Sequence, residues 1–121
     1  MNKSQIKNYK DLKVWQLAIE VVEDIYQMTR EFPQQELYGL TGQMRRSAIS
    51  IPSNIAEGFK RHHKKEYVQF LNIAQGSTGE LETLLIIANK LNYINDETLK
   101  IILDKVDHIG KMLCNLMLRL K

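Results

Sequence analysis

Few residues in this chain have the type and spacing that catalytic chemistry demands. His63 and Glu66, and Asp104 and His108, stand one helical turn apart, as two ligands of one metal ion would. Two ligands do not close a site, and a di-iron bundle needs inward glutamates with two Glu-x-x-His pairs, which this sequence lacks. No hydroxyl or thiol has a recognisable base and orienting partner. No glycine-rich loop follows a strand to cradle phosphate, and Gly76-Ser77 falls inside a helical pattern. The expectation is a protein that is not an enzyme and that holds no metal and no cofactor.

The chemistry the residues do support is contact with phosphate. Lys60, Arg61, Lys64 and Lys65 flank His62 and His63, whose rings can donate hydrogen bonds, and such a cluster binds a nucleic-acid backbone without reading its sequence. Arg45 and Arg46 are assigned either to this surface or to a core network. In the second case they would form interhelical ion pairs with acids among Asn54, Glu57, Ser77, Glu80 and Glu82. A lysine-rich turn that only solubilises the chain is the competing reading. The net charge of +3 permits contact with nucleic acid but decides nothing by itself.

The elements that must position these residues follow from composition and period. A chain of 121 residues fits one domain, 1–121, with residues 1–10 as an N-terminal extension. Two prolines and six glycines leave room for long helices. The first residues carry no apolar segment of signal-peptide type, no stretch reaches the roughly 20 apolar residues of a membrane span, and the single Cys114 excludes an internal disulfide. A cytoplasmic location without membrane contact is expected, with Cys114 as a small core side chain.

Apolar residues spaced by three and four mark four helices, about Asp11 to Thr29, Glu36 to Gly58, Lys64 to Leu91 and Asp96 to Arg119. Asp11 is placed to cap the first, and Phe32-Pro33 ends it. Pro52 interrupts the second, so either a kink or a break with Ser50 capping a second piece is expected there, with Gly58 as a left-handed terminator. Asn92 closes the third helix and Asn95 caps the fourth. Short connections between amphipathic helices make neighbours antiparallel, giving an all-α, up-down-up-down four-helix bundle with helix 2 kinked near Pro52.

One core-facing stripe cannot absorb all of Leu84 to Ala88, and Ile19, Ile86, Ile87, Met112 and Leu118 lie off the main stripes. These five are candidate contacts between copies of the chain. Gly39, Gly42, Gly76 and Gly79, with Ser47, Ser50, Ser53, Ala74 and Ser77, give helices 2 and 3 small residues that suit close packing against each other. Each mid-helix glycine costs about 1 kcal/mol relative to alanine.

Several longer strings carry a resemblance. Gln43-Met44-Arg45-Arg46-Ser47-Ala48, Ser50-Ile51-Pro52-Ser53-Asn54-Ile55-Ala56-Glu57-Gly58, and Phe70-Leu71-Asn72-Ile73-Ala74-Gln75-Gly76-Ser77 followed by Glu80-Leu81-Glu82-Thr83 occur in that order. With Asp11-Leu12-Lys13-Val14-Trp15-Gln16 at the start, and Phe32-Pro33 to Tyr38-Gly39-Leu40-Thr41, nearly the whole chain resembles the bacterial four-helix-bundle family named for the 23S rRNA intervening-sequence protein. The resemblance implies a bundle that assembles as a ring, with the homopentamer as the expected form and rRNA or another nucleic acid as a partner. Accessory proteins of diversity-generating retroelements are similar at a greater distance and bind nucleic acid. Where relatives place a small hydroxyl residue before helix 3, this chain has His62-His63-Lys64-Lys65, which weakens the cap and adds positive charge.

Overall fold

The computed structural model describes residues 6–121, so half of the N-terminal extension expected over 1–10 lies outside the described residues. The helices are α1 (Lys13–Thr29), α2 (Leu40–Phe59), α3 (Lys64–Lys90) and α4 (Asp96–Arg119), with short 3-10 turns at Tyr9–Asp11 and Gln34–Glu36. α1 packs on α2 and α4, and α3 packs on the same two, so α1 and α3 face each other only across the core.

Side-chain partners give the directions. Gly58 lies against Tyr67 and Phe70, while Ser47 reaches Ser77, so α3 descends as α2 climbs. Gln75 meets Gly110 and Asn89 meets Asp96 in the same antiparallel sense across α3 and α4. The interior is filled by Val21 and Ile25 of α1, Met44, Ile51 and Ile55 of α2, Leu71, Leu81 and Leu85 of α3, and Val106, Ile109 and Leu113 of α4. Leu12, Phe32 and Ile94 from the connecting segments plug the two ends.

Several boundaries differ from expectation for local reasons. Asp11 belongs to the 3-10 turn, and α1 starts at Lys13 behind Leu12, an N-cap that makes no side-chain hydrogen bond. α2 begins at Leu40 because Gln34–Glu36 forms its own turn, from which Glu36 Oε1 accepts the Leu40 N–H at 3.2 Å and leaves Leu37 exposed. α2 runs unbroken through Pro52, so Ser50 caps nothing, and the buried proline lines the groove between α1 and α2.

Gly58 is not left-handed. The positive φ after α2 belongs to His62, at 66°. Gly58 serves close approach instead, since a Cβ there would lie 2.8 Å from the Phe70 Cβ. Asn92 does take the left-handed conformation, and Asn95 caps α4 by accepting the Thr98 N–H at 2.8 Å.

Candidate nucleic-acid interface

An even number of helices returns the chain to the end where it began. The α2–α3 turn, the segment before α1 and the last turn of α4 therefore meet at one end of the bundle, where Lys7, Tyr9 and Lys10 line a recess with Phe59, Lys60 and His62, and Lys13 and Arg119 line another. This convergence collects Lys7, Lys10, Lys13, Lys60, Arg61, Lys64, Lys65, Arg119 and Lys121, nine cations, against Asp11, Glu57 and Glu66, three acids. At the opposite end Glu31, Glu36, Asp96 and Glu97 outnumber Arg30 and Lys90. The bundle is thus electrically polarised along its length.

Of the nine cations, only Arg61 forms an ion pair among the described residues, 2.9 Å from Glu57, and its guanidinium also lies 5.0 Å from the Phe70 ring centre. Lys64 and Lys65 occupy the first turn of α3, where the helix dipole disfavours positive charge. His63 takes the N-cap position without a side-chain hydrogen bond. Local stability is given up here in favour of exposed charge.

Arg45 and Arg46 do not join this surface. Fifteen residues of helix separate Arg45 from Lys60, roughly 22 Å along the axis. Arg45 donates from Nε to Thr29 Oγ1 at 3.0 Å, with its guanidinium 4.5 Å from the Tyr26 ring centre, so it pins α2 to α1. Nor does it pair with acids: Glu80 is exposed, Glu82 lines the α3–α4 groove, and Glu57 binds Arg61. The polar residues between α2 and α3 instead bond to one another. Ser47 Oγ donates to the Ser77 carbonyl at 3.1 Å, Ser50 Oγ and Ser77 Oγ are 2.8 Å apart, and Asn54 donates to the Ser50 carbonyl at 2.8 Å.

Beneath the basic end lies an aromatic cluster that sequence reasoning missed. Tyr9 meets Trp15 at 5.3 Å and Phe59 at 6.4 Å, and Phe59 meets Tyr67 at 6.0 Å, all near-perpendicular. Burial pushes the Tyr67 phenol up to about 12, although Arg119 nearby works in the opposite direction. The signal for this cluster was topological, because the parity of the helices alone puts Tyr9 and Lys10 beside Phe59 and Lys60.

The five candidate contact residues do not form one patch. Ile86 and Ile87 are exposed on the outer face of α3, and Leu118 is exposed on α4. Ile19 sits half-buried in an α1–α2 groove with Trp15, Ile49 and Pro52, and Met112 lines a separate α1–α4 recess. Gly76 and Gly79 share the outer α3 face with Ile73, and a methyl added to either would meet nothing. They therefore do not serve α2–α3 packing, nor do Gly39 and Gly42 at the start of α2, nor the exposed Ser53. Cys114, expected in the core, is exposed, with its sulfur accepting from Gln75 Nε2 at 3.2 Å.

No group of three or more metal-binding side chains occurs among the described residues, and none of their helices is long and apolar enough to cross a membrane. No curated protein matches the sequence. Among solved structures, the chain is similar to a protein of unknown function from the S23 ribosomal protein family of Bacteroides thetaiotaomicron, at 25% identity and a TM-score of 0.80, over 86% of this chain and 97% of that one. The family model of the 23S rRNA-intervening sequence protein matches residues 10–115, so the chain belongs to that family.

Proposed function

We propose that this protein is a non-catalytic module that binds structured RNA or DNA through its basic end and works as a closed homo-oligomer. The observation that carries the nucleic-acid reading is the convergence of nine cations on one end with a single ion pair among them. Such a surface attracts phosphate without sequence preference, and repetition around an oligomer multiplies a weak site. The family's name, which ties it to sequences within 23S rRNA, makes rRNA the first partner to try.

Self-association has separate support. Ile73, Ile86 and Ile87 leave apolar surface on α3 beside two glycines that open space for another backbone. The α1–α2 groove at Ile19 and Ile49 lies on a different side of the bundle. Two unlike apolar surfaces suit head-to-tail contacts, which close into a ring when the rotation allows. Five subunits is the number the family resemblance implies.

Filter binding to rRNA fragments across salt concentrations tests the first part. Retention should fall steeply with salt, and neutralising Lys60, Arg61, Lys64 and Lys65 together should flatten the slope by about 0.9 for each duplex phosphate no longer neutralised. Absence of binding at low salt rejects the reading. The exposed α3 face favours a second reading, a protein-interaction ring without nucleic acid, which a multimeric solution mass combined with no RNA retention would select.

A further inference from the structure

We propose that the recess between the N-terminal 3-10 turn and the end of α2 takes one unpaired nucleotide of a strand, its base against Tyr9 and Phe59 and its adjoining phosphates on Lys7, Lys10 and Lys60. This inference rests on the nucleic-acid reading above and names the form of nucleic acid bound.

The recess measures about 340 Å³. That lies in the lower part of the range of small-ligand pockets, about 300–1,000 Å³, which suits one nucleotide and excludes a duplex. Its lining combines two aromatic residues, Tyr9 and Phe59, with Asn8, three lysines and His62. Lysines alone would serve any phosphate backbone. Aromatic carbon set among them serves a base, because a ring offers an apolar face to whichever base leaves its stack. A continuous duplex keeps its bases stacked and presents only phosphates, sugars and groove edges to such a surface.

The other recesses lack this combination. The groove at Trp15, Ile19 and Ile49 shares Tyr9 with the recess but carries no charged side chain to hold a phosphate. The larger one at Met28 and Ile101 does include Tyr93 and Lys105, but Lys105 is paired with Asp24 and Glu20, and Asp24 and Glu31 on its wall repel phosphate.

The recess is also built in advance of any ligand. Asn8 Oδ1 accepts the Lys10 N–H at 2.9 Å, and Gln16 Nε2 donates to the Lys10 carbonyl at 2.8 Å, so the backbone carrying Tyr9 and Lys10 is tied to α1. Tyr9 stands at 69° to Trp15 and 68° to Phe59, so neither ring stacks flat on it. His62 holds a positive φ of 66° on the opposite wall. The backbone of the recess therefore needs no ordering on binding. The exposed lysine side chains are ordered by the phosphates, and Lys10, whose Nζ lies 5.9 Å from the Tyr9 ring centre, yields that ring face to the base.

The test is fluorescence anisotropy with the full chain, comparing a labelled single-stranded RNA with the same strand in a blunt duplex at one salt concentration. The single strand should bind about tenfold more tightly, the gain of one stacked base. Tyr9→Ala should abolish that preference and leave duplex affinity within about twofold, whereas Tyr9→Phe, which keeps the ring, should retain it. Trp15 is the single tryptophan and touches Tyr9, so its emission reports on the unmodified protein even if Tyr9→Ala fails to fold. Saturable change with the single strand and none with the duplex is expected. Equal affinity for both forms, or unchanged Trp15 emission on binding, overturns the nucleotide site while leaving a basic end that binds nucleic acid. Failure of both RNAs to bind at low salt overturns the two readings together.

Discussion

Gly58 of α2 passes so close to Phe70 of α3 that a single added carbon would stand 2.8 Å from the Phe70 Cβ and 3.0 Å from Tyr67 Cδ1. No side-chain tip can swing away from the first contact, so the helices themselves must separate. Gly58→Ala is therefore expected to destabilise by about 1–3 kcal/mol, more than offsetting the roughly 1 kcal/mol gained in helix propensity. Urea denaturation of the two proteins checks this.

The glycines on the outer face of α3 should behave in the opposite way. A methyl at Gly76 or Gly79 meets open space, so alanine should stabilise the isolated bundle by about 1 kcal/mol. If this face seats another copy, the same methyl obstructs the approach. Thermal denaturation together with sedimentation should show a more stable chain of lower mass; a more stable chain of unchanged mass would exonerate this face.

Arg45→Gln is expected to act on stability and not on RNA. It removes the bond to Thr29 and the packing on the Tyr26 ring, at a cost of about 1–2 kcal/mol. Salt-dependent retention of RNA should match that of the unmodified protein. A reduced salt slope would return Arg45 to the binding surface.

Alkaline unfolding should be governed partly by Tyr67. Its phenol is pushed up from 10.0 to about 12 in the fold, so the neutral form is favoured there more strongly than in the unfolded chain. That stability is complete below pH 10 and is lost as pH rises from 10 to about 12. Lys105 adds to the same trend, since Asp24 at 2.7 Å and then Glu20 at 2.9 Å hold it above its usual value across the α1–α4 contact. Tyr67→Phe, which cannot ionise, should flatten the fall in melting temperature between pH 10 and 12 without removing it.

Helix number, order and most boundaries were legible because burial imposes a period on the apolar residues, and because Asn92 and Asn95 have side chains suited to their positions. What stayed hidden depended on neighbours distant in sequence. A glycine at the end of a helix reads alike whether it turns the chain or admits another helix, and Gly58 does the second. Arg45 and Lys60 both precede the second turn in sequence, yet fifteen residues of continuous helix carry them to different levels of the bundle. Cys114 lies one position beyond the buried Leu113, and that step turns it out of the core into the α3 groove. The segment before α1 holds half of the candidate recess, and nothing in its own composition pointed there.

The lengthwise separation of charge constrains any cyclic assembly of bundles set side by side. Rotational symmetry about an axis parallel to the helices preserves the direction of every copy, so all the basic ends would share one rim and all the acidic ends the other. The particle would be two-faced, engaging a polyanion from one side only. A strand long enough to run round that rim would saturate such an object at one per particle, whereas short strands would bind up to one per subunit.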